Sequence, residues 1–85
     1  MKKIWAKVII NFKVKKSILF EAKEEITTSN FYGFVIEVCN ALKLPTPLIT
    51  PIQTNNFLEF NILKLKQRDF IEEIAFDILQ FELCE

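Results

Sequence analysis

The stretch from Thr27 to Pro47 constrains the fold of this chain more than any other. Its apolar residues have the spacing of one buried helix face: Phe31, Phe34, Val35, Val38, Cys39 and Leu42. Residues 27–30 all have N-cap chemistry. Pro45 and Pro47 follow and cannot continue a helix. The pattern therefore predicts one amphipathic helix that packs its apolar face on a sheet.

The other side of this helix has an apolar flank. Ile36 lies outside the buried face, and Tyr32 lies at its border. Two structures would cover this flank. Either the loop after Pro47 folds back over it, or a second subunit does.

The N-terminal residues alternate in the manner of β-strands. From Ile4 to Val14 the even positions are apolar, and the same alternation continues from Ile18 to Ala22. A hairpin must place both even sets on one face of the sheet. Two registers do so, with either Phe12 or Val14 opposite Ile18. A two-residue loop opposes even to odd positions, so we expect a loop of three residues at 14–16 or 15–17, or a longer one.

Residues 45–68 admit two interpretations. Three prolines predict an extended segment at a loop or sheet edge: Pro45, Pro47 and Pro51. Asn56 and Glu59 match a capping box, which predicts a short helix followed by an extended stretch from Ile62 to Leu65. The alternative is a strand over residues 54–65.

The tail also admits two interpretations. Asp69 and Glu72 form a second capping-box pattern, which predicts a helical turn or short helix near 69–74. Alternating apolar residues then predict a strand over 76–84, although one long helix over 69–84 is the alternative. A strand beside the first one would bring the acidic residues of the tail to the N-terminal lysines.

These elements predict an α+β fold in a single small domain, residues 1–85. It is an antiparallel sheet built on an N-terminal β-hairpin, with one main amphipathic helix on one face and a C-terminal strand. The composition is 51% apolar and includes nine phenylalanines, slightly above the usual share of about 45–50%. A domain of 85 residues cannot hide all of that surface, so we expect self-association.

Several kinds of chemistry are absent from the sequence. It has no histidine, one glycine (Gly33) and two distant cysteines, Cys39 and Cys84. It therefore lacks the usual general base, a phosphate-binding loop and a zinc-ligand pattern. Four carboxylates cluster in the tail: Asp69, Glu72, Glu73 and Asp77. We interpret them as a solvated acidic surface, and we expect no catalytic, cofactor-binding or metal-binding residues.

The net charge is zero but unevenly distributed. Residues 1–23 contain seven lysines and one acid, and residues 69–85 contain six acids and no base. We expect the two ends to lie close together and compensate each other. No apolar run is long enough for a membrane span, and the lysines interrupt any signal-peptide core. We expect a cytoplasmic protein without a membrane partner.

The predicted function is that of a small non-catalytic interaction or structural module whose partner is itself or another protein. Contact would occur through an exposed sheet edge or through the strand face that carries Trp5 and Ile9. The alternative is a weak single-stranded nucleic-acid binder, in which Trp5 stacks on a base among Lys3, Lys7 and Lys13. Because the chain has no excess of positive charge and no RNA-binding signature, we regard nucleic acid as the less favoured partner.

Overall fold

The computed structural model describes residues 2–84, which form a four-stranded antiparallel sheet with two helices on one face. In chain order the elements are β1 (Lys3–Ile10), β2 (Lys13–Glu21), α1 (Phe31–Leu42), α2 (Pro51–Phe60), β3 (Ile62–Leu65), a 3-10 turn (Gln67–Asp69) and β4 (Ile78–Cys84). The strand order is β2-β1-β4-β3. The predicted α+β class is confirmed. Within residues 2–84, neither helix has the length and apolar content needed to cross a membrane.

The core lies between the helices and the two central strands. Phe31 of α1 stacks on Phe57 of α2 with ring centroids 4.4 Å apart. The same ring meets Phe81 of β4 edge-on at 6.5 Å. All three rings are fully buried. Aromatic pairs of this kind contribute about 0.5–1.5 kcal/mol beyond the burial of their area, so Phe31 joins both helices to the sheet.

The β1–β2 hairpin forms as predicted, but both predicted registers are wrong. The loop has only two residues, Asn11 and Phe12, with φ values of 52° and 66°. Positive φ at both positions is typical of the type I′ turn, whose twist suits a hairpin. Asn takes this conformation readily, whereas it is uncommon for a bulky residue. Phe12, which the alternation placed in the core, is fully exposed.

A β-bulge reconciles the short loop with the alternation. Near the turn Ile9 lies opposite Val14, so an odd position faces an even one. The register then shifts between Val8 and Ile9, and beyond the shift Ala6 lies opposite Ile18. The bulge adds one residue to β2. Beyond it, the even positions of β1 and the even positions of β2 therefore lie on the same face of the sheet.

The helix α1 follows its predicted pattern. Five members of the predicted stripe are buried: Phe31, Phe34, Val35, Val38 and Cys39. The sixth, Leu42, is partly buried. The Tyr32 hydroxyl donates a hydrogen bond of 2.6 Å to the carbonyl oxygen of Pro47. The loop after α1 therefore folds back onto Tyr32, and Ile36 is half-buried.

The helix α2 begins earlier than predicted. Thr50 is its N-cap, and Thr50 and Gln53 form a reciprocal capping box with bonds of 3.1 and 2.9 Å. Pro51 occupies the first turn, where its missing N–H costs nothing. Asn56 therefore lies inside the helix instead of starting it. The extended stretch Ile62–Leu65 is confirmed as β3.

Of the helical turn or short helix predicted near 69–74, the structure has only a single 3-10 turn, which ends at Asp69. Residues 70–77 are irregular up to the start of β4. Phe70 and Phe76 are both buried and meet edge to face at 5.6 Å. The Gln67 side chain bonds the backbone of Glu72 and Ile74. These contacts replace the helical hydrogen bonds that the capping-box pattern suggested.

Candidate interaction surface

The sheet face opposite the helices carries the residues that were expected to meet a partner. One row across the four strands contains Leu19, Trp5, Glu82 and Ile62. The three apolar members of this row are between 38% and 55% exposed. The row is therefore apolar at three of its four positions and open to solvent.

Lys7 on this open face contacts both a carboxylate and an aromatic ring. Its Nζ lies 2.7 Å from Glu82 Oε2 and 3.9 Å from the centroid of the Trp5 ring. The side chain of Lys7 is only 17% exposed. Gln80 donates a hydrogen bond of 3.1 Å to the other oxygen of Glu82. The predicted proximity of tail acids and N-terminal lysines is confirmed at this pair, and Glu82 compensates the charge that would otherwise attract a phosphate.

The four residues of the predicted nucleic-acid set do not all share one face. Lys3, Trp5 and Lys7 alternate along β1 and therefore lie on the same side of the sheet. Lys13 lies opposite Ile10, an even position of β1, because of the bulge. Directly opposed residues of an antiparallel pair point to the same face, so Lys13 is on the other side. The structure also places Glu21 opposite Lys3.

The carboxylates of the tail are dispersed. Asp69 accepts a hydrogen bond from the Gln53 side chain and another from the Lys66 N–H, each 2.9 Å long. Asp77 accepts one of 2.7 Å from the Asn11 N–H and thereby holds the hairpin turn. Glu72 and Glu73 are exposed. Across residues 2–84, no three His, Cys, Asp or Glu side chains come together in a way that suits a metal ion.

The strand β2 lies at one edge of the sheet, and half of its backbone N–H and C=O groups point away from β1. Just beyond it, Ala22 donates its N–H to the Lys2 carbonyl on the β1 side. The direction in which the backbone N–H and C=O groups point alternates from one residue to the next along an antiparallel strand. In β2 beyond the bulge, the backbone groups of the even residues therefore point towards β1. The backbone groups of Ser17, Leu19 and Glu21 therefore point outward. Within residues 2–84, β2 pairs only with β1.

The edge strand also has a distinct charge order. Its first half is basic, with Lys13, Lys15 and Lys16, and all three are exposed. Its middle is apolar, and it ends at Glu21, with Glu24 and Glu25 following. A strand that is basic at one end and acidic at the other is complementary to an antiparallel copy of itself.

A groove of about 680 Å³ lies between the end of β2 and α1. Phe20 and Phe34 line it, and their ring centroids are 5.9 Å apart. Gly33 forms part of its wall, and a Cβ added there would meet no atom within 4 Å. Three acidic residues and one lysine also line the groove: Glu21, Glu24, Glu37 and Lys23. The groove is thus an acidic-rimmed cleft with an aromatic lining.

The two cysteines are free and differ in environment. Cys39 is fully buried, and this burial raises the pKa of its thiol from about 9 to about 11. Cys84 is partly exposed. Cys39 therefore acts as a small core residue.

Sequence reasoning missed the exposed position of Phe12. The signal that points to it is Asn11, the residue of this hairpin best suited to positive φ.

No family model matches the chain, and no curated protein or solved structure matches it either.

Proposed function

We propose that this protein is a small non-catalytic interaction module that associates with a second copy of itself through the β2 edge. The observation that carries the proposal is the long free edge of β2 with its self-complementary charge order. An exposed strand edge is a ready template for pairing with another chain. The free cysteines suit the reducing cytoplasm, where we place the protein.

The outward backbone groups allow registers in which odd residues of the two copies lie opposite each other. In an antiparallel dimer with Ile18 opposite its own copy, Ser17 lies opposite Leu19 of the second copy. Both residues have outward backbone groups, so they form a hydrogen-bonded pair. The two-fold axis is then perpendicular to the sheet, and both helical layers lie on the same side.

Charge pairing supports the same register. Lys15 of each copy, the residue at the bulge, comes close to Glu21 of the other, and cross-strand pairs of opposite charge contribute up to about 1 kcal/mol each. A shift that places Leu19 opposite itself would instead bring Lys15 opposite Lys23. Like charges in that position are destabilising, so the Ile18-centred register is favoured over that shift.

The lengths of the two edge strands, β2 and β3, also favour pairing through β2. The other edge, β3, has only four residues, and short edge strands resist pairing. β2 has nine residues and offers more outward groups. The dimer would then be one continuous eight-stranded sheet with β2 and its copy at the centre.

Ser17→Pro is the direct test of the edge. The Ser17 N–H points away from β1, so proline removes an intermolecular donor without breaking the hairpin ladder. We expect sedimentation equilibrium to show a concentration-dependent dimer for the wild type and a monomer for Ser17→Pro. Ser17→Ala is the matched control, and it should dimerise like the wild type.

Two results would overturn this proposal. A wild-type monomer at high micromolar concentration would exclude self-association. A dimer that persists in folded Ser17→Pro would move the contact away from the β2 edge, for instance to the Trp5 and Ile9 face. If the monomer instead binds a labelled single-stranded oligonucleotide with an affinity that falls steeply with salt, the nucleic-acid alternative replaces the proposal.

A further inference from the structure

We infer that Phe12 at the hairpin tip of one copy inserts into the groove between β2 and α1 of the second copy. This inference rests on the proposed edge pairing and adds the residues that make it specific. The tip and the groove belong to the same chain, so a two-fold dimer would contain two such insertions.

The register brings the tip to the groove. With Ile18 opposite its own copy, antiparallel counting places residue 12 opposite residue 24. The bulge at Lys15 shortens β2 by one position, so Phe12 arrives opposite Lys23 or Glu24. Both of these residues line the groove. Because β2 ends at Glu21, this count extends beyond the paired strands and places Phe12 beside the residues that lead from β2 to the groove.

The groove and the tip have complementary properties. The groove presents the rings of Phe20 and Phe34 and the open space beside Gly33. Phe12 is fully exposed, and no side chain among residues 2–84 covers it. Three lysines accompany it on β2, whereas the charged side chains lining the groove are three acids and one lysine. A buried anchor in a well-packed pocket is typical of a binding hot spot, and the opposite charges of the tip and the rim favour the encounter of the two copies.

The backbone of Phe12 gives a second reason to assign it a role. Its φ of 66° is a strained conformation for a bulky residue, and glycine would fit the turn without strain. The sequence Asn-Gly is also the strongest type I′ turn signal. A phenylalanine at this position therefore lowers the stability of the single chain while it exposes an aromatic ring.

Phe12→Gly separates folding from association. Relief of one strained residue should raise Tm by about 4–8 °C in a domain of this size. The dimer dissociation constant should rise at least about tenfold, because the anchor is lost. The measurements are thermal denaturation by circular dichroism at low concentration and sedimentation equilibrium across a concentration series.

Gly33→Leu blocks the groove from the other side. The site has open space around it, so the added side chain is accommodated within the single chain. We expect Gly33→Leu to fold normally and to weaken the dimer at least about tenfold. Gly33→Ala is the matched control, because it adds a better helix former without filling the groove.

A disulfide trap gives a positive readout. In a Cys84→Ser background, the double variant Phe12→Cys, Gly33→Cys should form covalent dimers under mild oxidation. Each single variant should form far fewer, because its new cysteine would face no thiol in the second copy. Mass spectrometry of the linked peptides would identify the pair of positions 12 and 33.

The outcomes distinguish this inference from the proposed function. If Ser17→Pro is monomeric while Phe12→Gly and Gly33→Leu dimerise like the wild type, edge pairing stands and the insertion is wrong. If the wild type itself is monomeric, the proposed function is wrong and the insertion with it. Loss of dimer in all three variants, with the expected rise in Tm for Phe12→Gly, supports both.

Discussion

The strands β1 and β2 have similar alternating sequences but very different surroundings. Ile4 and Ala6 of β1 are fully buried, whereas Phe20 and Ile18, which lie directly opposite them on β2, are only half-buried. The difference comes from position, since β1 has β4 on its other side and β2 has no further neighbour within residues 2–84. An apolar alternation therefore states which face a residue takes, but neighbouring strands decide how deeply it is buried.

The same contrast separates two phenylalanines. Phe31 contacts two other rings at the centre of the core, and Phe12 is fully exposed at the hairpin tip. The first stabilises the single chain. The second lowers the stability of the single chain, and in the proposed dimer it contacts the second copy. The following predictions test this division between a core that holds the chain together and an edge that is free to associate.

Phe31→Ala should have the largest effect on folding. It removes the stacked contact with Phe57 and the edge contact with Phe81 and leaves a cavity. We expect a loss of about 3–5 kcal/mol in the free energy of unfolding, measured by urea denaturation. Phe60→Ala, at an exposed position of α2, is the control and should change it by less than about 0.5 kcal/mol. Equal losses in the two variants would contradict the core assignment.

The titration of Cys39 should give the next largest effect. Burial raises its pKa in the folded state to about 11 from about 9. The folded state therefore holds the thiol proton more tightly, and this stabilisation is complete below pH 9 and lost as the pH rises towards 11. The expected loss is about 2–3 kcal/mol.

Other groups titrate over the same pH range, so the test is a difference between two proteins. Urea denaturation of the wild type and of Cys39→Ala should be compared from neutral to alkaline pH. The wild type should lose more stability than the variant between pH 9 and 11. Parallel pH profiles would show that Cys39 is not held in the core as the structure has it.

The Lys7–Glu82 pair on the open face should give the smallest effect. Glu82→Gln removes the partner charge of a lysine that is mostly shielded from water. We expect a loss of about 0.5–1 kcal/mol, and a smaller loss in high salt, because a partly exposed ion pair is screened. Glu59→Gln, at an exposed position of α2, is the control. A loss independent of salt would argue against the ion pair as its cause.

The sequence predicted those parts of the fold that depend on neighbours along the chain. The helix α1 was predicted because start, apolar face and stop all agreed within a few residues. The start of α2 was missed because Asn56 with Glu59 and Thr50 with Gln53 both match a capping box. Pro51 in the first turn favours the earlier start. Local signals for helix starts are degenerate, and only the packed structure shows which one is used.

The tail shows a different limit. The pattern at Asp69 predicted a helix, but the Asp69 carboxylate instead bonds Gln53 and Lys66. The burial of Phe70 and Phe76 against each other then fixes an irregular path. Gln53 lies 16 residues before Asp69 in the sequence, so the spacing of residues within the tail could not reveal this hydrogen bond. The candidate interaction surface was foreseen only as a choice between a sheet edge and a sheet face.

By itself the sequence determined the α+β class, the buried face of α1 and the core-facing even positions of β1, because each depends on the period of a local pattern. Only the tertiary structure decided that β1 lies inside the sheet, that β2 is left at its edge, and that a bulge shifts the hairpin register. These features depend on cross-strand contacts between residues far apart in the sequence. The energies of such contacts favour one register over another, but they produce no periodic pattern in the sequence. The exposed Phe12 follows from that register.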